Sequence, residues 1–223
     1  MTHHAPEEML LEYVAGTSTD AAALSTACHV ALCGACAARV AELEAVGGGF
    51  LDAGGGEPLA PGALEAVLAR IDAPPQPRAE ASAVPAAPAC PPFLAEFQLP
   101  RPLLRRLAEV PAVSDWKFVV PGMRAVDLPA SAPGVTIRLI AFKPGVTIPF
   151  HDHGGPEQIV VFTGALEEEG KRFERGDISI RDSGERHEQR VAPGAPCIAL
   201  VVNEGKLQPL TLRGRLLLAL SRR

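Results

Sequence analysis

No stretch of this 223-residue chain carries the roughly 18–20 consecutive apolar residues that a bilayer-spanning helix requires. A transmembrane segment is therefore not expected. The opening MTHHAPEEML also lacks the basic and then apolar leader of a secretory signal, so the expected compartment is the cytoplasm. There, five cysteines read as metal ligands or redox thiols rather than structural disulfides. Basic residues are scarce at one end. Between Met1 and Asp72 there are two, Arg39 and Arg70, against ten acids: Glu7, Glu8, Glu12, Asp20, Glu42, Glu44, Asp52, Glu57, Glu65 and Asp72. That segment has a formal charge of −8 and the remainder +3, within chain totals of 21 basic and 26 acidic residues. A surface of this sign repels phosphate and favours a basic partner. No helix carries a basic stripe, so direct nucleic-acid binding is not expected. Internal repeats are absent as well.

What is present divides the chain in two, as multidomain α + β. The length allows two domains, each with its own core. Ala73–Pro92, APPQPRAEASAVPAAPACPP, has almost no large apolar residue and reads as an extended, semi-stiff linker with Cys90 exposed in it. The expected units are thus a helical domain over 1–72, a linker over 73–92 and a β domain over 93–223. Met9, Leu10, Tyr13 and Val14 recur at helical spacing and predict a helix over Glu7–Ala15. Thr17-Ser18-Thr19-Asp20 has the form of a capping box ahead of a long helical run, Ala21–Val46, which Gly47-Gly48-Gly49 is expected to stop. Leu64, Val67, Leu68 and Ile71 predict a short amphipathic helix within Pro61–Ile71. Beyond the linker, Val135–Phe142, Gln158–Phe162, Ile178–Ile180 and Ile198–Val202 are short β-prone runs punctuated by Pro and Gly. They predict an antiparallel sandwich or barrel. The apolar Leu216–Leu220 near the end fits a strand, a helix or a contact surface.

The chain has only six histidines, and all of them fall in two constellations. In the first, His29, Cys33 and Cys36 are spaced i, i+4 and i+7, which on one helix would form a single stripe. Imidazole with two thiolates is a soft, zinc-preferring set, and tetrahedral zinc takes a fourth ligand. His3 and His4 are both candidates for it. A lone CxxC in an alanine-rich helix can equally be packing, but the added HxxxC and the upstream histidine pair favour the metal. Cys28 lies off the stripe and reads as a small packing residue. His4 followed by HVALCGAC resembles the zinc-binding anti-sigma (ZAS) domain, whose motif is H-x(n)-H-x-x-x-C-x-x-C. The resemblance covers Met1–Asp72 and implies that His4, His29, Cys33 and Cys36 hold a structural zinc, with His3 a neighbour. It further implies a group IV (ECF) sigma factor as partner, kept from RNA polymerase. Apolar anchors for that partner are expected among Leu10, Leu11, Tyr13 and Val14, with the acids steering encounter.

The second constellation is Gly145-VTIPF-His151-Asp152-His153-GGP-Glu157-QIVVFT-Gly164, followed by Gly176-DISIRDS-Gly184-Glu185-Arg186-His187. Two residues apart on a strand, His151 and His153 face the same side. Glu157 follows a Gly154-Gly155-Pro156 bend and can complete the set, and the second segment returns His187. Three imidazoles and a carboxylate suit zinc, iron, manganese or nickel. These segments resemble the two cupin motifs, G-x5-H-x-H-x3-E-x6-G and G-x5-P-x-G-x2-H-x3-N. The first matches throughout. In the second, Asp182 replaces the proline and Val191 the asparagine, which leaves the ligand positions intact. The resemblance implies a cupin β-barrel whose His151, His153, Glu157 and His187 bind zinc or another divalent first-row metal.

A ZAS domain, a linker and a cupin in one chain resemble ChrR-type anti-sigma factors over nearly the full length. That implies a regulator with no catalytic residues, whose cupin senses an oxidative signal such as singlet oxygen and governs release of the sigma factor. Cys197, on a predicted strand, is core filling or a redox element. The alternative is a metal-dependent cupin enzyme of the Fe(II) dioxygenase kind with a regulatory N-terminal half, although no general base or substrate-recognition motif stands out.

Overall fold

A computed structural model describes residues 1–72, 92–110, 116–212 and 214–215. Residues 73–91 of the expected linker, Cys90 among them, and the apolar Leu216–Leu220 lie outside the described residues. Helix α1 (Glu7–Ala15) spans the range its spacing predicts, and α4 (Ala63–Asp72) falls within two residues of the expected one. Between them the single long helix expected over Ala21–Val46 is instead two, α2 (Asp20–Val30) and α3 (Gly34–Ala53), and the chain bends by 119° from one to the other. At the corner the N–H groups of Leu32 and Cys33 both return to the carbonyl of His29. Cys33 is extended (φ −106, ψ 102) and caps α3. The α2 cap is Thr19, whose hydroxyl accepts the Ala22 N–H. Gly47-Gly48-Gly49 do not end α3, which runs on to Ala53. Glycine costs a helix only about 1 kcal/mol per residue, and the first left-handed glycine after them is Gly55.

After a 3-10 turn over Pro92–Phe97 and helix α5 (Arg101–Ala108), the described residues form eleven strands. These are β1 (Lys117–Val120), β2 (Met123–Leu128), β3 (Val135–Phe142), β4 (Thr147–His153), β5 (Glu157–Thr163), β6 (Leu166–Glu168), β7 (Lys171–Phe173), β8 (Ile178–Arg181), β9 (His187–Val191), β10 (Cys197–Glu204) and β11 (Leu207–Pro209). The expected barrel is resolved into two facing antiparallel sheets, ordered β1-β2-β3-β10-β5-β8 and β11-β4-β9-β6-β7. Between them lies one apolar cluster with Ile140, Phe142, Ile159 and Val161 from the first sheet and Leu166, Phe173 and Val191 from the second. Gly155 allows the bend between β4 and β5 to pass against the end of β10, since a Cβ there would stand 1.5 Å from the Glu204 carbonyl oxygen.

The core does not divide at the linker. Ile137, Leu139, Val160, Phe162, Ile198 and Leu200 point from the other face of the six-stranded sheet into a cluster with Leu24 and Cys28 of α2, Met9 and Leu10 of α1, and Leu103 and Leu107 of α5. Polar contacts cross the same junction: Ser25 donates to Gln158, and Arg106 pairs with Asp20. Leu10 is therefore core, 3% exposed, and Tyr13 and Val14 pack half-buried against it. Of the four anchors expected for a partner, only Leu11 is exposed. Large exposed apolar side chains gather elsewhere, at Val46, Phe50 and Leu51 of α3, Leu59, and Leu64, Val67, Leu68 and Ile71 of α4. No residue of α4 is buried. Among the described residues no single helix is long and apolar enough to cross a membrane.

Because Leu103 is fully buried where α5 meets α2 and the sheet, Leu103→Ala is expected to cost about 2–5 kcal/mol. Peptide-resolved hydrogen exchange should then rise in α2 and β10 together. Faster exchange confined to one of the two would show that the core is not shared.

Candidate metal centres

The corner between α2 and α3 assembles the first centre. His29 lies on the last turn of α2, Cys33 at the corner and Cys36 in the first turn of α3, so a bend rather than one helical stripe brings the three together. His4 joins them from the segment ahead of α1. The ligand atoms of His4, His29, Cys33 and Cys36 lie within 4.8 Å of one another. His4 Nδ1 is 3.2 Å from Cys33 Sγ and 3.7 Å from Cys36 Sγ, and His29 Nε2 is 3.2 Å from Cys36 Sγ. The edge of a zinc tetrahedron with nitrogen and sulfur ligands is roughly 3.5 Å, so the set fits that ion. His29 Nδ1 stands 2.7 Å from the Gly176 carbonyl. A carbonyl only accepts, so Nδ1 carries the proton and Nε2 turns its lone pair to the cluster. Burial pushes the His29 pKa down and the Cys36 thiol up, which favours neutral imidazole and leaves thiolate formation to a bound cation. His3, the other candidate fourth ligand, faces away, with Nε2 3.2 Å from the Arg172 carbonyl.

The second centre lies inside the sandwich. His151 and His153 project from β4, Glu157 begins β5 and His187 begins β9, where it pairs in register with His151. All four are buried, at 1–3% exposure, with ligand atoms within 4.8 Å of one another. His153 Nε2 and His187 Nε2 are 2.8 Å apart, and Glu157 Oε2 is 3.6 and 3.4 Å from them. His151 Nδ1 donates to the Pro149 carbonyl at 2.8 Å, and His187 Nδ1 to Glu168 Oε1 at 2.8 Å. With both Nδ1 protons spent outward, two Nε2 lone pairs converge beside a carboxylate, a donor set that fits a divalent cation. Burial lowers the His151 pKa to about 4 and raises that of Glu157 to about 7.

Glu168 was not singled out by the sequence. Burial alone would push its carboxyl up, but hydrogen bonds from His187, Gln189 and Arg181 hold it at about 2. Gln189 Nε2 bridges Glu168 Oε2 at 3.0 Å and Glu157 Oε2 at 3.5 Å. Within Glu167-Glu168-Glu169 the available signal is strand alternation, since Glu168 shares a face with the buried Leu166. Among the described residues, the other two cysteines take no part in either set. Cys28 and Cys197 are fully buried, and burial raises both thiols to about 12. Cys197 packs in the cluster between the sheets and Cys28 in the cluster beneath the helices.

Comparison with known proteins places these observations. The family described as the ChrR cupin-like domain matches residues 106–208. The anti-sigma-E factor ChrR of Cereibacter sphaeroides is 34% identical over 206 residues, 92% of this chain and 91% of that protein. Among solved structures, the Rhodobacter sphaeroides SigE complex with the anti-sigma ChrR contains a chain that matches with a TM-score of 0.67 and 30% identity, covering 90% of this chain and 98% of that one. An RmlC-like cupin protein of Ralstonia eutropha JMP134 matches at 19% identity and a TM-score of 0.42, over 46% of this chain and 71% of its own.

Glu168→Gln keeps the side-chain volume and removes the charge that orients His187. The metal affinity of the cupin set is expected to fall about 10–100-fold, read by competition against a chelator of known strength. An unchanged affinity would rule out the orienting role.

Proposed function

This chain belongs to the ChrR family of anti-sigma factors, and we propose on that basis that its N-terminal half binds a group IV (ECF) sigma factor and keeps it from RNA polymerase. The carrying observation is the surface of the second half of α3 and of α4. It exposes Phe50 at 75%, Leu51 at 84% and the row Leu64, Val67, Leu68 and Ile71, on a segment whose formal charge is −8. A factor that contacts DNA needs basic surfaces, so the acids here steer encounter while a few apolar side chains supply the affinity.

His4, His29, Cys33 and Cys36 hold zinc in this reading. Four protein ligands leave that zinc no open position, so its role is structural, fixing the α2–α3 corner and thereby the course of α3. His151, His153, Glu157 and His187 hold zinc or another divalent first-row metal. Such an ion would supply Lewis acidity and, where the metal is redox-active, electron transfer. The cupin half senses an oxidative signal such as singlet oxygen and governs release of the sigma factor. The protein acts in the cytoplasm as a regulator and not as an enzyme. The three-histidine, one-glutamate set also fits an Fe(II) oxygenase. Turnover of a thiol or diketone by iron-loaded protein would favour that alternative.

The test is co-expression of the intact chain with an ECF sigma factor from the same genome, followed by affinity capture. Stoichiometric capture is expected, lost when Cys33 and Cys36 are replaced by alanine. Phe50→Ser and Leu68→Ser should each weaken binding by about 2 kcal/mol, some 30-fold, with the fold intact. Failure of the wild-type chain to capture any ECF sigma factor of its genome would sink the anti-sigma reading.

A further inference from the structure

Three of the four N-terminal ligands sit on or between helices, but His4 does not. It lies in the segment ahead of α1, outside any helix or strand. What holds that segment comes from the cupin half. The backbone N–H groups of Thr2 and His3 both donate to Asp177 Oδ1, at 2.8 and 3.1 Å. The His3 carbonyl accepts the Ile178 N–H at 3.4 Å. The His3 ring lies against Phe173 with centroids 4.3 Å apart, and its Nε2 meets the Arg172 carbonyl at 3.2 Å. Asp177 is itself 2% exposed, and its second oxygen accepts the Glu174 N–H at 2.9 Å, so the turn between β7 and β8 fixes its carboxylate. The same turn presents the Gly176 carbonyl to His29 Nδ1.

We infer that His3 and Asp177 form a latch by which the cupin half positions His4 and retains the metal of the N-terminal centre. The inference rests on the reading of His4, His29, Cys33 and Cys36 as metal ligands. One turn of the C-terminal half thus supports two of the four ligands of the other half, His4 through its neighbours and His29 through its ring. From that turn β8 continues to Ser179 and Arg181, which hold Glu168 and so the orientation of His187. A displacement of β8 therefore loosens His4 and His29, and the metal escapes faster when the cupin moves. His3 serves as a positioning residue, and neither it nor Asp177 touches the ion.

The experiment uses the full chain loaded with cobalt(II). The cupin ligands include no sulfur, so thiolate-to-cobalt absorption reports the N-terminal centre alone. His3→Ala and Asp177→Ala are expected to speed the loss of that absorption under excess chelator about 10-fold or more. In His3→Ala the unfolding midpoint and the cobalt retained by the cupin set should stay at their wild-type values, which a merely structural role for His3 would not preserve. Should Asp177→Ala fail to fold, Asp177→Asn takes its place, because it keeps the side-chain volume and removes the charge that the Thr2 and His3 N–H groups meet. The backbone bonds of His3 survive in His3→Ala, so wild-type rates in both that variant and the Asp177 variant overturn the latch. Absence of the absorption in the wild-type chain overturns both the metal reading and the latch. Sigma-factor capture by the wild-type chain is scored separately, so failure of the latch and failure of the anti-sigma reading give different results.

Discussion

Strand β5 has water on neither side, and much of the molecule follows from what each of its faces requires. Glu157, Ile159 and Val161 look between the sheets, while Gln158, Val160 and Phe162 look out toward the helices, and all six are buried. A strand with apolar side chains on both faces needs a covering layer on each. The second sheet covers one, and α2 with α5 covers the other, so the helical half is part of the sandwich and not an appendage to it. The two polar side chains in the strand show the same constraint. Gln158 finds Ser25 of α2, and Glu157 is placed where a cation or a proton must offset its charge.

Both candidate centres rest on one electrostatic device. A buried imidazole gives its Nδ1 proton to a fixed acceptor, so that its Nε2 lone pair is committed inward: Gly176 serves His29, Pro149 serves His151 and Glu168 serves His187. The two buried carboxylates of the cupin set then diverge according to their neighbours. Glu168 gathers donors from His187, Gln189 and Arg181 and stays ionised, whereas burial outweighs the pull of His187 on Glu157. The ionised one orients His187, a candidate ligand, and the other stands where a cation would offset its charge.

The placement of these parts suits a regulator. The first centre sits at the α2–α3 corner, against the sheet, while beyond Val40 no residue of α3 is buried and none of α4 is. In the proposed reading, a change within the sandwich can therefore act on the corner that sets the course of α3 without passing through the proposed partner surface itself. The acids that accompany that surface are exposed and screened by salt, so they shape the rate of encounter more than the final affinity.

Local patterns made a good part of this legible. Helix α1 and strand β3 match their predicted bounds, because i, i+3, i+4 spacing and β-branched runs are properties of neighbouring residues. The eight candidate ligands were legible for a similar reason: residue types rare in this chain recur at short, motif-like spacings, and the structure brings them into two clusters. The bend after Val30 was not, since Ala31-Leu32-Cys33 carries no helix breaker and the corner is settled by where His29 and the sheet must sit. Glu168 and Asp177 escaped for another reason. Glu168 looks like one of three surface acids until His187, 19 residues on, gives it a partner, and Asp177 acts on residues 174 and 175 positions away. Nor could periodicity tell that Leu10 is core while Leu68 stands exposed. Periodicity by itself determined which residues share a face. Which face is covered was decided only in the tertiary structure, because the covering atoms belong to distant parts of the chain.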